Sequence, residues 1–280
     1  MNPAALKKIR MIVCDLDGTL LNNTNGISEE NNNAIKKLTD RGIIFTLASG
    51  RIYSSVKSFA EIIKISSPVI SLDGASIKSV VDGEIIDNSK FSKAKMKKII
   101  KLCGQYKIDY AISTDEGCFT PKKKSDQMGF TIKKIGVDIT PVENIEDYIK
   151  NALEITVNSP DKIKIQYIKN KFSFPFSFKY SAKMYKSEST QTHFAEIRKK
   201  DVNKGSALIK LCRHMKIKPD ECAVICDWYN DISLFKTGAV KVAVGNAIDE
   251  LKNIADIVTE KTNNENAVEE FINLVLKNKS

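Results

Sequence analysis

Asp15 and Asp17 stand two positions apart at the end of an apolar run, Met11-Ile12-Val13-Cys14, and Gly18 follows at once. In an extended chain, residues i and i+2 point to the same side. The spacing therefore predicts two carboxylates facing one site at the end of a buried strand. Such a pair can divide the work of group transfer, one carboxylate attacking an electrophile while the other moves a proton. Together they can also hold a divalent cation through hard oxygen ligands. Gly18 lets the chain turn sharply after the strand. Taken alone, the same four residues fit an acidic turn equally well, so the reading depends on what else the chain brings to that place.

Further polar clusters follow apolar runs. Ser49, Gly50 and Arg51 come after residues 43–47, and Asp227-Trp228-Tyr229-Asn230-Asp231 comes after residues 223–226. Lys204 opens the helix that precedes the second of these runs. In an open parallel sheet, ligands bind at the carboxyl ends of the strands, which is where all these groups fall. The set suits phosphoryl transfer. A carboxylate nucleophile approaching a phosphate meets charge repulsion. Mg2+ held by Asp15, the Asp17 backbone carbonyl and Asp227 would neutralise it. Lys204 adds a positive charge beside the phosphate or the attacking carboxylate. Thr19, the Ser49 hydroxyl and the turn at Gly50 offer hydrogen bonds to phosphate oxygens. Asp231 can complete the metal shell through water and hold Lys204, and Asn230 can offer its amide to the same cluster.

The elements that must position these residues read as two patterns. Short apolar strands at 11–14, 43–47 and 69–72 alternate with helices. One helix begins after Ser28, a good N-cap, with Ala34, Ile35 and Leu38 on its apolar face and Gly42 at its end. Another carries Tyr53, Val56, Phe59, Ala60 and Ile63. This alternation implies a parallel sheet covered on both faces. Asp82-Gly83 marks a hairpin. A helix over 92–107 then leads into strand-like pieces at 108–113, 154–157, 163–168, 176–184 and 193–197, an α+β module with an antiparallel sheet. The first pattern resumes with a helix over 204–215, a strand at 223–226, a helix over 231–237, a strand at 240–244 and a last helix bearing Val268, Phe271, Ile272 and Val275. The expected fold class is α/β, a Rossmann-like parallel-sheet core (1–87 and 199–280) with an inserted α+β domain (88–198).

Composition bounds the function. With 44 Lys+Arg against 34 Asp+Glu the net charge is +10. The lysines are spread along the chain without aromatic interleaving, which favours a solvated surface that steers anionic substrates over a nucleic-acid site. No apolar stretch approaches the ~20 residues that span a bilayer, and no apolar signal core follows the N-terminal charges. Six cysteines without a C-x-x-C and only two histidines argue against a Cys/His zinc site. Cys14 and Cys226 read as small buried residues of a reducing compartment. A cytoplasmic protein is expected, a monomer or weak dimer, with no nucleic-acid or membrane partner.

The chain resembles the haloacid dehalogenase superfamily in its Cof-type branch, which carries an α/β cap of the C2B type. The matching stretches are Asp15-Leu16-Asp17-Gly18-Thr19-Leu20, Leu47-Ala48-Ser49-Gly50-Arg51, residues 68–75, Asn203-Lys204-Gly205 and residues 227–231. Val244-Gly245-Asn246-Ala247 and residues 255–259 are similar to the branch's tail. The resemblance implies that Asp15 forms an aspartyl-phosphate, that Asp17 protonates the leaving alcohol and then activates water, that Ser49 and Lys204 bind phosphate, and that Asp227 and Asp231 support Mg2+. Arg51 would face the cap and the substrate. It also implies a substrate among small phosphorylated metabolites, either sugar phosphates or cofactor phosphates. Lys183, Lys186, His193 and Arg198 are the cap's candidate contacts. Three positions depart from the branch. Cys226 replaces a glycine and would crowd the metal loop, Asp73 replaces an asparagine, and residues 264–268 lack a glycine. A phosphomutase using the same aspartyl-phosphate, or a sensor of phosphosugars that has lost turnover, would be built from similar residues.

Overall fold

In the computed structural model, residues 3–122, 138–187 and 191–279 are described. They divide into two compact units: Met1–Ser49 with Val56–Asp87 and Asn203–Ser280, and Gly50–Ser55 with Asn88–Val202. In chain order the elements are α1 (Pro3–Lys8), β1 (Met11–Cys14), α2 (Glu29–Asp40), β2 (Ile44–Leu47), α3 (Tyr53–Ile62), β3 (Val69–Ser71), β4 (Ser76–Lys78) and β5 (Ile85–Asn88). Next come α4 (Lys93–Tyr106), β6 (Asp109–Ser113), β7 (Cys118–Pro121), β8 (Ile139–Val142), α5 (Glu146–Ile149), β9 (Glu154–Ser159), α6 (Lys162–Lys171), β10 (Tyr180–Lys186) and β11 (His193–Lys199). The chain closes with α7 (Lys204–Met215), β12 (Cys222–Cys226), β13 (Val240–Ala243), α8 (Asp249–Lys252), β14 (Ile257–Val258) and α9 (Ala267–Asn278).

The first unit is built on a parallel five-stranded sheet in the order β14-β13-β12-β1-β2. β1 lies at its centre and is buried at all four positions, as is every residue of β12. Continuous apolar strands of this kind are what a sheet covered on both faces requires. The register aligns Cys14 with Ile225 on one side and Leu47 on the other, so the chain leaves β1, β2 and β12 at the same end. Ser28 caps α2 by accepting from the Asn31 amide at 3.1 Å, and Ala34, Ile35 and Leu38 are buried beneath it. A parallel bridge between Ala48 and Ile70 carries the β2 edge on to β3, which begins the antiparallel β3-β4-β5 sheet.

The second unit has a six-stranded sheet in the order β10-β11-β9-β6-β7-β8. Its core packs Met96, Ile99 and Cys103 of α4 and Ile165 and Ile168 of α6 against Ile112, Ile155, Val157 and Ile197. The alternation along β9 follows from this, since Ile155 and Val157 face the helices and Glu154 and Thr156 the other side.

Two elements differ from the sequence reading. Residues 163–168, expected as a strand from alternating isoleucines, lie in α6. Asp161 caps that helix, accepting from the Ile163 and Lys164 amides at 2.9 and 3.4 Å, and the chain buries Ile165 and Ile168 at helical spacing. A good N-cap outweighs weak β propensity. Residues 231–237 form short 3-10 turns at Tyr229–Asp231 and Leu234–Lys236 instead of a helix. In addition, β10 begins only at Tyr180, so residues 176–179 of the expected strand are loop. Among the described residues no helix is long and apolar enough to cross a membrane.

Candidate active site

The site lies in the first unit, where the chain leaves β1 and β12. Asp15 directly follows β1 and is held in strand geometry by its amide, which donates to the Ile225 carbonyl at 3.0 Å. The chain then turns. The Leu16 carbonyl accepts from the amides of Thr19, Leu20 and Leu21 at 3.3, 3.1 and 2.9 Å. Gly18 sits at φ +78, and a Cβ there would come 2.3 Å from Asp227 Oδ2, so only glycine leaves room for that carboxylate. The turn also separates the two leading aspartates. Asp15 is buried and Asp17 is exposed, because the i, i+2 rule holds only while the strand continues.

Lys204, first residue of α7, is fully buried. Its Nζ donates to Asp15 Oδ1 at 2.5 Å and to Asp231 Oδ1 at 2.6 Å. The helix start is fixed by Asn203, whose side chain accepts from the Ser206 amide at 2.8 Å while the Ser206 hydroxyl accepts from the Asn203 amide at 3.2 Å. Thr19, also fully buried, donates to Asp227 Oδ1 at 2.9 Å. Asp231 Oδ2 accepts from the amides of Asp227 and Trp228 at 3.4 and 3.3 Å, which ties the loop into a tight turn. Asn230 Nδ2 donates to Asp73 Oδ1 at 3.0 Å. Asp73, at φ +50, is reached in turn from Ser49, whose carbonyl accepts its amide at 3.0 Å.

Asp15, Asp227 and Asp231 present oxygens that all lie within 4.8 Å of one another. Three carboxylates face one ammonium group. Burial pushes Asp15 well above the usual carboxylate range, with the charges of Asp231 and Asp227 adding to it and Lys204 opposing. Burial and the Asp231 charge raise Asp227 to about 6. Burial works against the charge of Lys204, but Asp15 and Asp231 more than offset it and hold the lysine protonated. The thiols of Cys14 and Cys226 are pushed up by burial and by these carboxylates, so they stay neutral and add no negative charge. The donor set fits a hard divalent cation: oxygen ligands only, excess negative charge, and a glycine cradle beside Asp227.

Apart from the exposed Asp17, the sequence-derived residues fall into three groups. Asp15, Thr19, Lys204, Asp227 and Asp231 meet directly. Ser49 is buried and Asn230 half-buried, both joined to Asp73 in the ring around them. Gly50 and Arg51 pack with the second unit, where Arg51 is buried. In that unit Arg198 is engaged by its own sheet, in an ion pair with Glu154 and another with Glu196 at 3.2 Å, while Lys183 and Lys186 are exposed and His193 is half-buried. Cys226 completes β12 as a buried strand residue, its carbonyl accepting from the Val244 amide at 3.1 Å.

One positioning group was not assigned a role from sequence. Asn246 Nδ2 donates to the Gly18 carbonyl at 2.8 Å, and its Oδ1 accepts from the Asn263 amide at 2.8 Å. The Ile248 amide donates to the Asp227 carbonyl at 3.0 Å. The loop after β13 thus clasps both acidic loops. Its signal in the sequence was Val244-Gly245-Asn246, one more small polar stretch at a strand end.

A parallel sheet whose strand ends gather three buried carboxylates and a buried lysine defines an α/β enzyme with an acidic, cation-accepting centre. Residues 12–272 match the sequence profile of the haloacid dehalogenase-like hydrolases, and the chain belongs to that family. It is 29% identical to the 5-amino-6-(5-phospho-D-ribitylamino)uracil phosphatase YwtE of Bacillus subtilis, over 96% of this chain and 98% of the relative. Phosphatase YwpJ of the same organism is 26% identical over 93% of this chain and 97% of its own length. Among solved structures, TM0651 from Thermotoga maritima superposes with a TM-score of 0.82 at 29% identity, covering 95% of this chain and 97% of that one.

Proposed function

We propose that the protein is a Mg2+-dependent phosphohydrolase that cleaves small phosphorylated metabolites, sugar phosphates or cofactor phosphates, through an aspartyl-phosphate on Asp15. That it is a phosphoric monoester hydrolase rests on its family together with full-length relatives named as phosphatases. The observation that carries the assignment of Asp15 is its contact with Lys204 at 2.5 Å inside a buried acidic cluster. A lysine there opposes the upward push of burial on the carboxylate, orients it for attack and offers charge to the incoming phosphate.

In this reading an Asp15 oxygen bonds to phosphorus as the ester P–O bond breaks. Asp17, exposed at the turn and so able to meet a leaving group, gives its proton to the departing alkoxide. Asp17 then takes a proton from water, whose oxygen attacks phosphorus and releases phosphate and the Asp15 carboxylate. Thr19 and Asp231 hold Asp227 and Lys204 in place throughout, and Ser49 offers its hydroxyl to the phosphate. Asp15, Asp227, Asp231 and the Asp17 carbonyl would hold Mg2+, which when bound supplies charge neutralisation for the phosphoryl group. Six cysteines, all buried and none in a disulfide, suit a reducing cytosol.

The test is phosphate release from p-nitrophenyl phosphate and a panel of metabolite phosphates that includes a phosphorylated ribityl pyrimidine. It is run with Mg2+ or EDTA, on wild type and Asp15→Asn. Release that needs the metal and vanishes in the variant is expected. Release that persists in Asp15→Asn would remove the nucleophile assigned here.

A further inference from the structure

We propose that the loop between α6 and β10 in the second unit docks on an anionic lipid surface. Phe174, Phe176 and Phe178 are 70%, 76% and 69% exposed. They are not the loose side chains of a floppy segment. Phe172, Ser177 and Tyr180, between and beside them, are buried. The Ser177 amide donates to the Ser173 carbonyl at 2.9 Å, the Tyr180 amide to Ser177 Oγ at 3.2 Å, and the Lys200 amide to the Lys179 carbonyl at 2.9 Å. Phe174 and Phe178 meet edge to face with centroids 5.6 Å apart. The loop is an ordered turn that presents three aromatic rings outward. α6 leads into it with Ile163 exposed and Tyr167 partly so one turn further on, and Lys171 Nζ lies 4.8 Å above the Tyr167 ring.

The charge around the rings selects the occupant. From residue 162 to 187 every charged side chain is a lysine, including Lys162, Lys164, Lys169, Lys171 and Lys179. Aromatic residues flanked by lysines match a membrane interface, where rings enter the headgroup–acyl boundary and ammonium groups meet anionic headgroups. A second copy of the chain would bring lysines against lysines across an isologous contact. Such docking needs no spanning helix. It sets this surface apart from the expectation, read from sequence, of no membrane partner.

The experiment is co-sedimentation of the full chain with vesicles of phosphatidylcholine alone and of phosphatidylcholine mixed with phosphatidylglycerol. Binding to the mixed vesicles, weakened by salt, is expected, with little binding to the neutral ones. Joint replacement Phe174→Ser, Phe176→Ser and Phe178→Ser should lower partitioning by about tenfold or more with the thermal melt unchanged. Lys169→Gln with Lys171→Gln and Lys179→Gln should lower it and flatten the salt dependence. Three results would overturn the proposal: no binding to either vesicle, binding that survives the loss of the three rings (attraction by the +10 net charge alone), or a concentration-dependent dimer that the ring replacements abolish.

Discussion

Lys204 is the residue on which the buried charges depend. Its ammonium group touches two of three clustered carboxylates, and it has no exposed surface. Lys204→Met keeps much of the volume and removes the charge. Asp15 and Asp231 then face each other without a counter-ion, and a buried charge stripped of its partner costs roughly 3–5 kcal/mol. Phosphate release should fall by about two to three orders of magnitude, the effect of removing one preorganised charged donor. The melting temperature should fall with it at neutral pH and recover on acidification, as Asp15, which burial already pushes up, takes up a proton in place of the lysine's charge. A variant that loses activity with no pH-dependent change in melting would mean that Lys204 touches only substrate.

The elements show where reading the chain works and where it stops. Strands β1 and β12 were legible as fully buried apolar runs, helices α2, α4 and α7 as amphipathic stretches with a good start, and α9 by its apolar face alone. Ser28, Ser92 and Asn203 all cap helices where their residue types predict. Residues 163–168 misled because isoleucine alternation mimics a strand, while the deciding signal was the single residue Asp161. Residues 231–237 lacked any such cap and became turns. The acidic cluster was legible because its residues sit at strand ends; the clasp formed by Asn246 was not, since it depends on which loops meet across the sheet. Close approach was equally hidden. A Cβ on Gly205 would lie 2.1 Å from the Ser233 carbonyl oxygen, where α7 presses on the loop after β12. Helix propensity favours alanine over glycine by about 1 kcal/mol, but the obstacle here is backbone, and overpacking costs about 1–3 kcal/mol. Gly205→Ala should therefore melt several degrees lower than wild type, and a higher melting temperature would show that the helix can shift outward freely.

At the scale of the molecule, the site is a standing electrostatic cost that a bound cation would relieve, and the cost has a pH window. Asp227 rises from an ordinary 3.8 to about 6 on folding. Below about pH 4 both folded and unfolded chains carry this proton and the group costs nothing. Between about pH 4 and 6 the unfolded chain ionises first, so stability falls as pH rises through that window. Above it a loss of roughly 3 kcal/mol persists in the metal-free protein. Asp15 is raised for the same reason and acts in the same direction. A divalent cation taken up by the proposed site would bind the ionised carboxylates, compete with protons and restore at neutral pH what burial took away. Adding Mg2+ should raise the melting temperature by several degrees at pH 7.5 and hardly at all at pH 5. Asp227→Asn should flatten the decline between pH 4 and 6 and abolish most of the Mg2+ response. An equal shift at both pH values in the wild type would mean that the ion binds away from Asp15, Asp227 and Asp231. The proposed metal chemistry would then have to be sought among other residues.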